Sequence, residues 1–289
     1  MSKIKNILKK NKVCISLYVN FKMLILYLSV YCRTFWRQVL ALFKKDKFEI
    51  KRFKNIHHGK RCFIVGSGPS LTLEDIELIK GEYSFTVNHG YNIYNKTGWQ
   101  ADYYVVMEDN DDGIRCLKDA LEFNHKGVFC GSDNPNYTRL GNEIKLVGDA
   151  KSVFLFDTFW NKYFPRIFKL AEFSKDISKK IYCGKTVVYS CIQIAAYMGF
   201  TEIYLLGVDC DYTQKKRYAD ITDNAGAKEY SKQRYIDTSR MMRVQFEALA
   251  KDIDKYSVKV YNASRGGALE AFPRVNLEDV VKGMCNRID

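Results

Sequence analysis

Residues 62–71 read CFIVGSGPSL: four apolar residues, then two glycines flanking a serine, a proline and a second serine. Such a run reads as a strand buried on both faces, and the glycines end it in a tight turn. TLEDIELIKG (72–81) follows, with Leu73, Ile76 and Ile79 on one helical face. A strand that passes through glycines into a helix leaves backbone amides pointing outward, where they and the helix dipole suit an anion, most often phosphate. In that role Gly66 permits the turn and Gly68, beyond Ser67, lets a phosphate approach the backbone. Pro69 sets φ, and Ser70 or Thr72 caps the helix. No Lys-Ser/Thr follows, so the turn is not a P-loop, and Leu71 stands where the third glycine of a dinucleotide fingerprint belongs. A tight structural turn without a ligand is the competing reading.

Outward from this turn, short β-rich runs alternate with helical patterns. YSFTVNHG (83–90), ADYYVVMED (101–109), KGVFCGS (126–132), IKLVG (144–148), EIYLLGVD (202–209) and VKVYNAS (258–264) read as strands. Residues 114–124, 186–200 and the end of 229–256 read as helices, and the aromatic stretch 154–177 reads as helical, broken near Pro165. Alternation with continuous apolar strands predicts an α/β fold: a Rossmann-like, mostly parallel sheet with helices on both faces. In such sheets ligands sit outside the carboxyl ends of the strands. The polar residues ending the strands, among them Asn88, His89, Glu108, Asp109 and Asp209, then line one cleft.

The chain has 289 residues and a net charge of +13. Residues 1–60 hold 15 Lys/Arg against 2 Asp/Glu, and the remainder holds 31 of each sign. The basicity therefore belongs to an N-terminal segment, which excludes a nucleic-acid-binding face on the body. Nine cysteines without C-x-x-C pairing fit a reducing compartment, and no metal site is expected from them. Residues 1–48 form a basic amphipathic helix in this reading, with Val13, Leu17, Leu24, Tyr31, Phe35 and Leu42 opposite Lys12, Lys22, Arg33, Arg37 and Lys44. That pattern suits the surface of an anionic membrane, a peripheral location on the cytoplasmic face. A single span over 13–32 is the alternative, against which Lys22 costs about 2.5–3.5 kcal/mol. Residues 49–59 are expected to be a solvated linker with His57 and His58 exposed, and 60–289 the catalytic domain.

With these motifs in hand, the chain resembles the superfamily of bacterial CMP-sialic acid sialyltransferases, motility accessory proteins and archaeal 6-hydroxymethylpterin diphosphokinases. GSGPSL matches their G-x-G-P-S-L turn. FTVNHG places Asn88 at a nucleotide-contacting asparagine, and TVVYSCIQIAAYMGFTEIYLLGVDCDY matches a helix–strand unit ending in G-[IV]-D. Tyr212 and Tyr218 recur at the spacing of two tyrosines that hold the donor phosphate, and VYNASRGGALEAFPRVNLEDV is similar to the superfamily's close. The general-base histidine of the sialyltransferases is absent from the segment around Asp237-Thr238. An arginine ahead of the 186–200 helix is replaced by Cys183-Gly184-Lys185-Thr186, and Glu108 or Asp109 stands where an asparagine is expected.

The resemblance implies an inverting glycosyltransferase that takes a nucleotide-activated, CMP-linked sugar as co-substrate and extends a surface or lipid-linked glycan. Catalytic candidates are Asp237 as base, with Glu108, Asp109 or His89 in reserve, and Tyr212 and Tyr218 as donors to the departing phosphate. Nucleotide-binding candidates are Gly66, Ser67, Gly68, Pro69, Ser70, Asn88, Glu108, Asp109, Thr186 and Asp209. For Asp237 the structural alternative is a helix cap ahead of 238–252, and for Asp209 the capping of the next loop. The acidic run MEDNDDG (107–113) reads as a solvated turn, without the closing Glu of a calcium loop. Residues 211–235 are expected to form a lid. Two alternatives stay open: an ATP-dependent, magnesium-requiring diphosphokinase of the pterin type, and a non-catalytic nucleotide-binding module. Self-association is left open too.

Overall fold

The structure, a computed structural model, describes residues 50–107, 111–131, 153–156, 158–159, 171–179, 181–222 and 229–283, with nine single positions between 17 and 35. The chain divides into two units, one of residues 1–46 and 159–169 and one of 47–158 and 170–289.

In the larger unit seven strands form one sheet. They are β1 (Arg61–Val65), β2 (Ser84–Val87), β3 (Tyr103–Val106), β4 (Gly127–Gly131), β5 (Val153–Phe156), β6 (Glu202–Leu206) and β7 (Lys259–Asn262). Their order is β5-β4-β3-β2-β1-β6-β7, and every pairing is parallel. Parallel strands need long crossovers, and helices lie along them: α1 (Leu73–Leu78), α2 (Tyr94–Thr97), α3 (Asp111–Ala120), α4 (Val187–Tyr197) and α5 (Lys232–Ala250), while α6 (Leu277–Val281) follows the last strand. Phe63, Val65, Tyr104, Val106 and Leu206 pack on one face with Ile76, Ile79, Leu117 and Val280. The largely apolar, buried α4 lies against β1, β2 and β3. With both faces covered, β2 and β3 are buried throughout and β1 beyond Arg61, as their apolar runs require.

The chain leaves β1 toward β2 and continues to β5, then returns to place β6 on the other side of β1. Strand order reverses between β1 and β6. At such a reversal the loops leaving the two strands part in opposite directions and open a crevice. The register Val65↔Leu206 sets Gly66 beside Gly207 at its floor.

Two expectations are corrected. Val153–Phe156 is the edge strand of the sheet, paired with β4, and not helix. Its aromatic residues carry strand as well as helix propensity, and four apolar residues show too little periodicity to separate them. Residues 50–60 are not a solvated linker. Ile50 and Phe53 are buried, and the amides of Asn55, His57 and Gly59 bond to the carbonyls of Tyr197, Met198 and Gly199. The His57 ring is buried between Tyr83 and Phe200, with Nε2 2.6 Å from the Tyr103 hydroxyl. The high charge of the segment hid these few anchoring residues. The strand expected at 144–148 lies outside the described residues.

In the smaller unit, positions 17, 18, 20, 21, 24, 25, 28, 32 and 35 are helical. Leu17, Phe21, Leu24, Ile25, Leu28 and Phe35 recur at helical spacing and are 45–64% exposed. Among the described residues no helix is long and apolar enough to cross a membrane.

Candidate active site

The glycine turn is tied to the end of β6. The Gly66 amide donates to the Leu206 carbonyl and the Gly68 amide to the Gly207 carbonyl, both at 2.8 Å. A Cβ on Gly66 would stand 2.5 Å from the Gly207 oxygen, and one on Gly68 2.7 Å from both that oxygen and the Asp209 carboxylate. Both glycines are therefore required by the approach of one protein loop to another. Asp209, 5% exposed, accepts from the Ser70 amide at 2.9 Å and from the Ser70 hydroxyl. Leu71 donates back to the Gly68 carbonyl.

This corrects the anion-nest expectation for residues 66–70. Pro69 has no N–H, and the amides of Gly66, Gly68 and Ser70 already have protein acceptors. The anion that the Ser70 end of the turn holds is Asp209 itself. Among the described residues only the Ser67 amide of this turn lacks an acceptor, while the Ser67 carbonyl accepts from Ala219 at 2.9 Å. The cap of α1 is Thr72, in a reciprocal box with Asp75, and Ser70 is left to Asp209. Sequence placed Asp209 at the strand end but gave no sign that its partner lay 139 residues away.

Asn88 and His89 follow β2. The pairing Val65↔Thr86 sets the end of β2 beside the end of β1, and Asn88 opens the 3-10 turn that leaves it. Asn88 has φ of 45°, and its carbonyl accepts from the Tyr104 hydroxyl at 2.5 Å, which fixes the peptide carrying His89. The Asn88 Oδ1 is buried and has no hydrogen-bond partner. His89 Nε2 lies 2.8 Å from Asp112 Oδ2, and the other Asp112 oxygen pairs with Arg115. The Cys116 sulfur is 3.6 Å from both His89 ring nitrogens. His89, Asp112 and Cys116 are the one group of potential metal-ligand side chains among the described residues. Within it, His89 and Asp112 make a hydrogen bond at 2.8 Å.

Residues 211–222 close over the turn. Besides the Ala219–Ser67 bond, Asn92 Nδ2 donates to the Thr222 carbonyl, so this part of the expected lid is anchored on both sides. Tyr212 and Tyr218 are brought together with ring centroids 6.1 Å apart, and Tyr235 adds a third ring 6.4 Å from Tyr212. The Ser239 hydroxyl accepts from the Tyr212 amide at 2.8 Å, and Arg243 Nη1 donates to the Cys210 carbonyl at 3.0 Å. Sequence missed Ser239 and Arg243, and α5 begins at Lys232 behind the Ser231 cap, not at 238. Asp237 is thus neither cap nor turn. It sits within α5 and accepts from Gln233. Thr186 caps α4 through the Val188 amide. Glu108 and Asp109 lie outside the described residues. Hydrogen bonds from Thr213 hold Asp211 below the usual carboxylate range, and burial pushes the Cys210 thiol up to about 12, which keeps it inert.

An all-parallel sheet with a strand-order reversal, and a glycine turn at that reversal, define the class: a doubly wound α/β domain with its ligand crevice between β1 and β6. The family model described as 6-hydroxymethylpterin diphosphokinase MptE-like matches residues 37–215, and the chain belongs to that MptE-like family. A search of curated proteins returned no match. Solved structures similar to this chain include the MAf glycosyltransferase from Magnetospirillum magneticum AMB-1, at 20% identity and a TM-score of 0.47 over 83% of this chain and 42% of that one. The monofunctional alpha-2,3-sialyltransferase Cst-I from Campylobacter jejuni is similar at 18% identity and a TM-score of 0.46, over 76% of this chain and 82% of that one. This chain thus spans less than half the length of the MAf protein.

Proposed function

We propose that the protein is an inverting glycosyltransferase that takes a sugar from a CMP-linked donor and passes it to a surface or lipid-linked glycan. The observation that carries this reading is the composition of the crevice. Beside it Asn88, at the carboxyl end of β2, holds a buried acceptor without a donor, and the turn itself holds one uncommitted amide at Ser67 and a fixed carboxylate at Asp209. An unpaired buried acceptor costs about 1–3 kcal/mol, which an amino or hydroxyl group of a nucleoside would recover. A carboxylate in the turn tolerates a ligand with a single phosphate far better than a triphosphate. Tyr212 and Tyr218 supply hydroxyl donors for that phosphate, and Arg243 supplies a guanidinium held at the end of β6. The exposed apolar stripe of residues 17–35, within the basic first 60 residues, supports docking on an anionic membrane where a lipid-linked acceptor resides.

The family's description favours a second reading, diphosphate transfer from ATP with magnesium to a pterin-type alcohol. The two separate in one experiment. Full-length protein is incubated with CMP-, UDP- and GDP-sugars, and separately with ATP, magnesium and a hydroxymethylpterin. Release of CMP with transfer to a glycan acceptor is expected. AMP release with diphosphorylation of the pterin would replace the glycosyltransferase reading.

A further inference from the structure

The general-base histidine of the sialyltransferases has no counterpart around Asp237, and proton transfer from an acceptor hydroxyl needs a base. We infer that His89 is that base and that Asp112 is its positioning residue, a His–Asp pair at the carboxyl end of β2 beside the nucleotide crevice. The inference rests on the glycosyltransferase reading above and adds the residues that move the proton.

Four features carry it. His89 Nε2 and Asp112 Oδ2 are 2.8 Å apart, so the carboxylate accepts from Nε2–H and leaves Nδ1, 3.6 Å from the Cys116 sulfur, as the proton acceptor. The pair is fixed from both sides: the Asn88 carbonyl is held by the Tyr104 hydroxyl, and Arg115 holds the second oxygen of Asp112. The His89 side chain keeps 17% exposure, with the fully buried Cys116 sulfur 3.6 Å from both ring nitrogens. The other described histidines near the sheet are committed to packing, His57 with Tyr103 and His125 with the Ala101 carbonyl.

In the step so defined, the acceptor hydroxyl oxygen forms its bond to the anomeric carbon as its proton passes to His89 Nδ1. The bond from that carbon to the phosphate oxygen breaks, and the electron pair leaves with the nucleotide monophosphate. The imidazolium that forms faces the Asp112 carboxylate, and the proton is later lost to water.

The test uses the full chain, whose four histidines make imidazole nitrogens assignable by NMR. In free wild-type protein near pH 8, nitrogen shifts should report His89 as the Nε2–H tautomer. Asp112→Asn should convert it to Nδ1–H, because the asparagine amide can donate to Nε2, and Asp112→Glu should restore Nε2–H. A merely structural Asp112 would not move the tautomer in this way. With a CMP-sugar, turnover should fall about 100-fold or more in His89→Gln and in Asp112→Asn, within the range for a lost general base. The thermal shift given by CMP should persist in both variants. An Nδ1–H tautomer in wild type, or turnover within threefold of wild type in His89→Gln, overturns the pair as the base. Absence of turnover in wild type with every nucleotide sugar overturns instead the glycosyltransferase reading, and the tautomer measurement still decides whether Asp112 orients His89.

Discussion

Asp209, at the end of β6, and Ser70, in the turn after β1, are joined by two hydrogen bonds, one to the Ser70 amide at 2.9 Å and one to its hydroxyl. The carboxylate therefore locks the two loops that part at the switch point, and the crevice keeps its shape without a ligand. A hydrogen bond to a charged group contributes about 1.5–3 kcal/mol, and a buried amide left without acceptor costs a similar amount. Asp209→Ala should lower unfolding free energy by about 3 kcal/mol, and Ser70→Ala, which loses only the hydroxyl bond, by about 1.5 kcal/mol. Urea denaturation of both variants checks the order, and a larger loss in Ser70→Ala would contradict it.

Gly68→Ala tests the close approach between the loops. Its Cβ would meet the Gly207 carbonyl and the Asp209 carboxylate at 2.7 Å, and neither can withdraw without breaking a bond just described. Overpacking of this kind costs about 1–3 kcal/mol. Thermal unfolding should show that loss together with a diminished response to nucleotide. An unchanged midpoint would place the turn away from β6.

Much of this arrangement was legible in the sequence. Continuous apolar strands, each ending in polar residues, gave the parallel sheet and the side on which the cleft lies. The glycine turn marked the switch point because a strand must stop where backbones cross closely. Pairing across the turn was not legible: the partner of Ser70 is set by strand order, which no local pattern encodes. The start of α5 was missed because Tyr235 and Ile236 are half-exposed and exposed, so its first two turns show no apolar face. Asp112 was read as one acid of a solvated turn, and only the packing of α3 against the residues after β2 brings it to His89.

Stability should fall on the acid side. Burial lowers the pKa of His57 and of His125. Unfolded histidine titrates near 6.5, so below about that pH the unfolded chain binds more protons, and stability present above it is lost as pH falls through the lowered values. A His57→Gln, His125→Gln double variant should be less stable at pH 8 but show a smaller further drop between pH 6.5 and 5. Midpoints across that range measure it; parallel curves would contradict the assignment.

The apolar stripe of residues 17–35 predicts sedimentation with vesicles containing about 30% phosphatidylserine, weakened by salt. Leu24→Glu with Leu28→Glu should leave the full chain in the supernatant. Sedimentation of the double variant equal to wild type would exclude the stripe as the contact.

The central claim, that the crevice between β1 and β6 holds a nucleotide carrying one phosphate, is tested most directly by thermal shift with CMP, CDP, UDP, GDP and ATP with magnesium. At a concentration near 100 Kd a true ligand adds about 2.7 kcal/mol of stability. The claim predicts a rise in midpoint with CMP that is lost in Asn88→Ala. No rise with any of the five, or a CMP response that Asn88→Ala leaves intact, would contradict it.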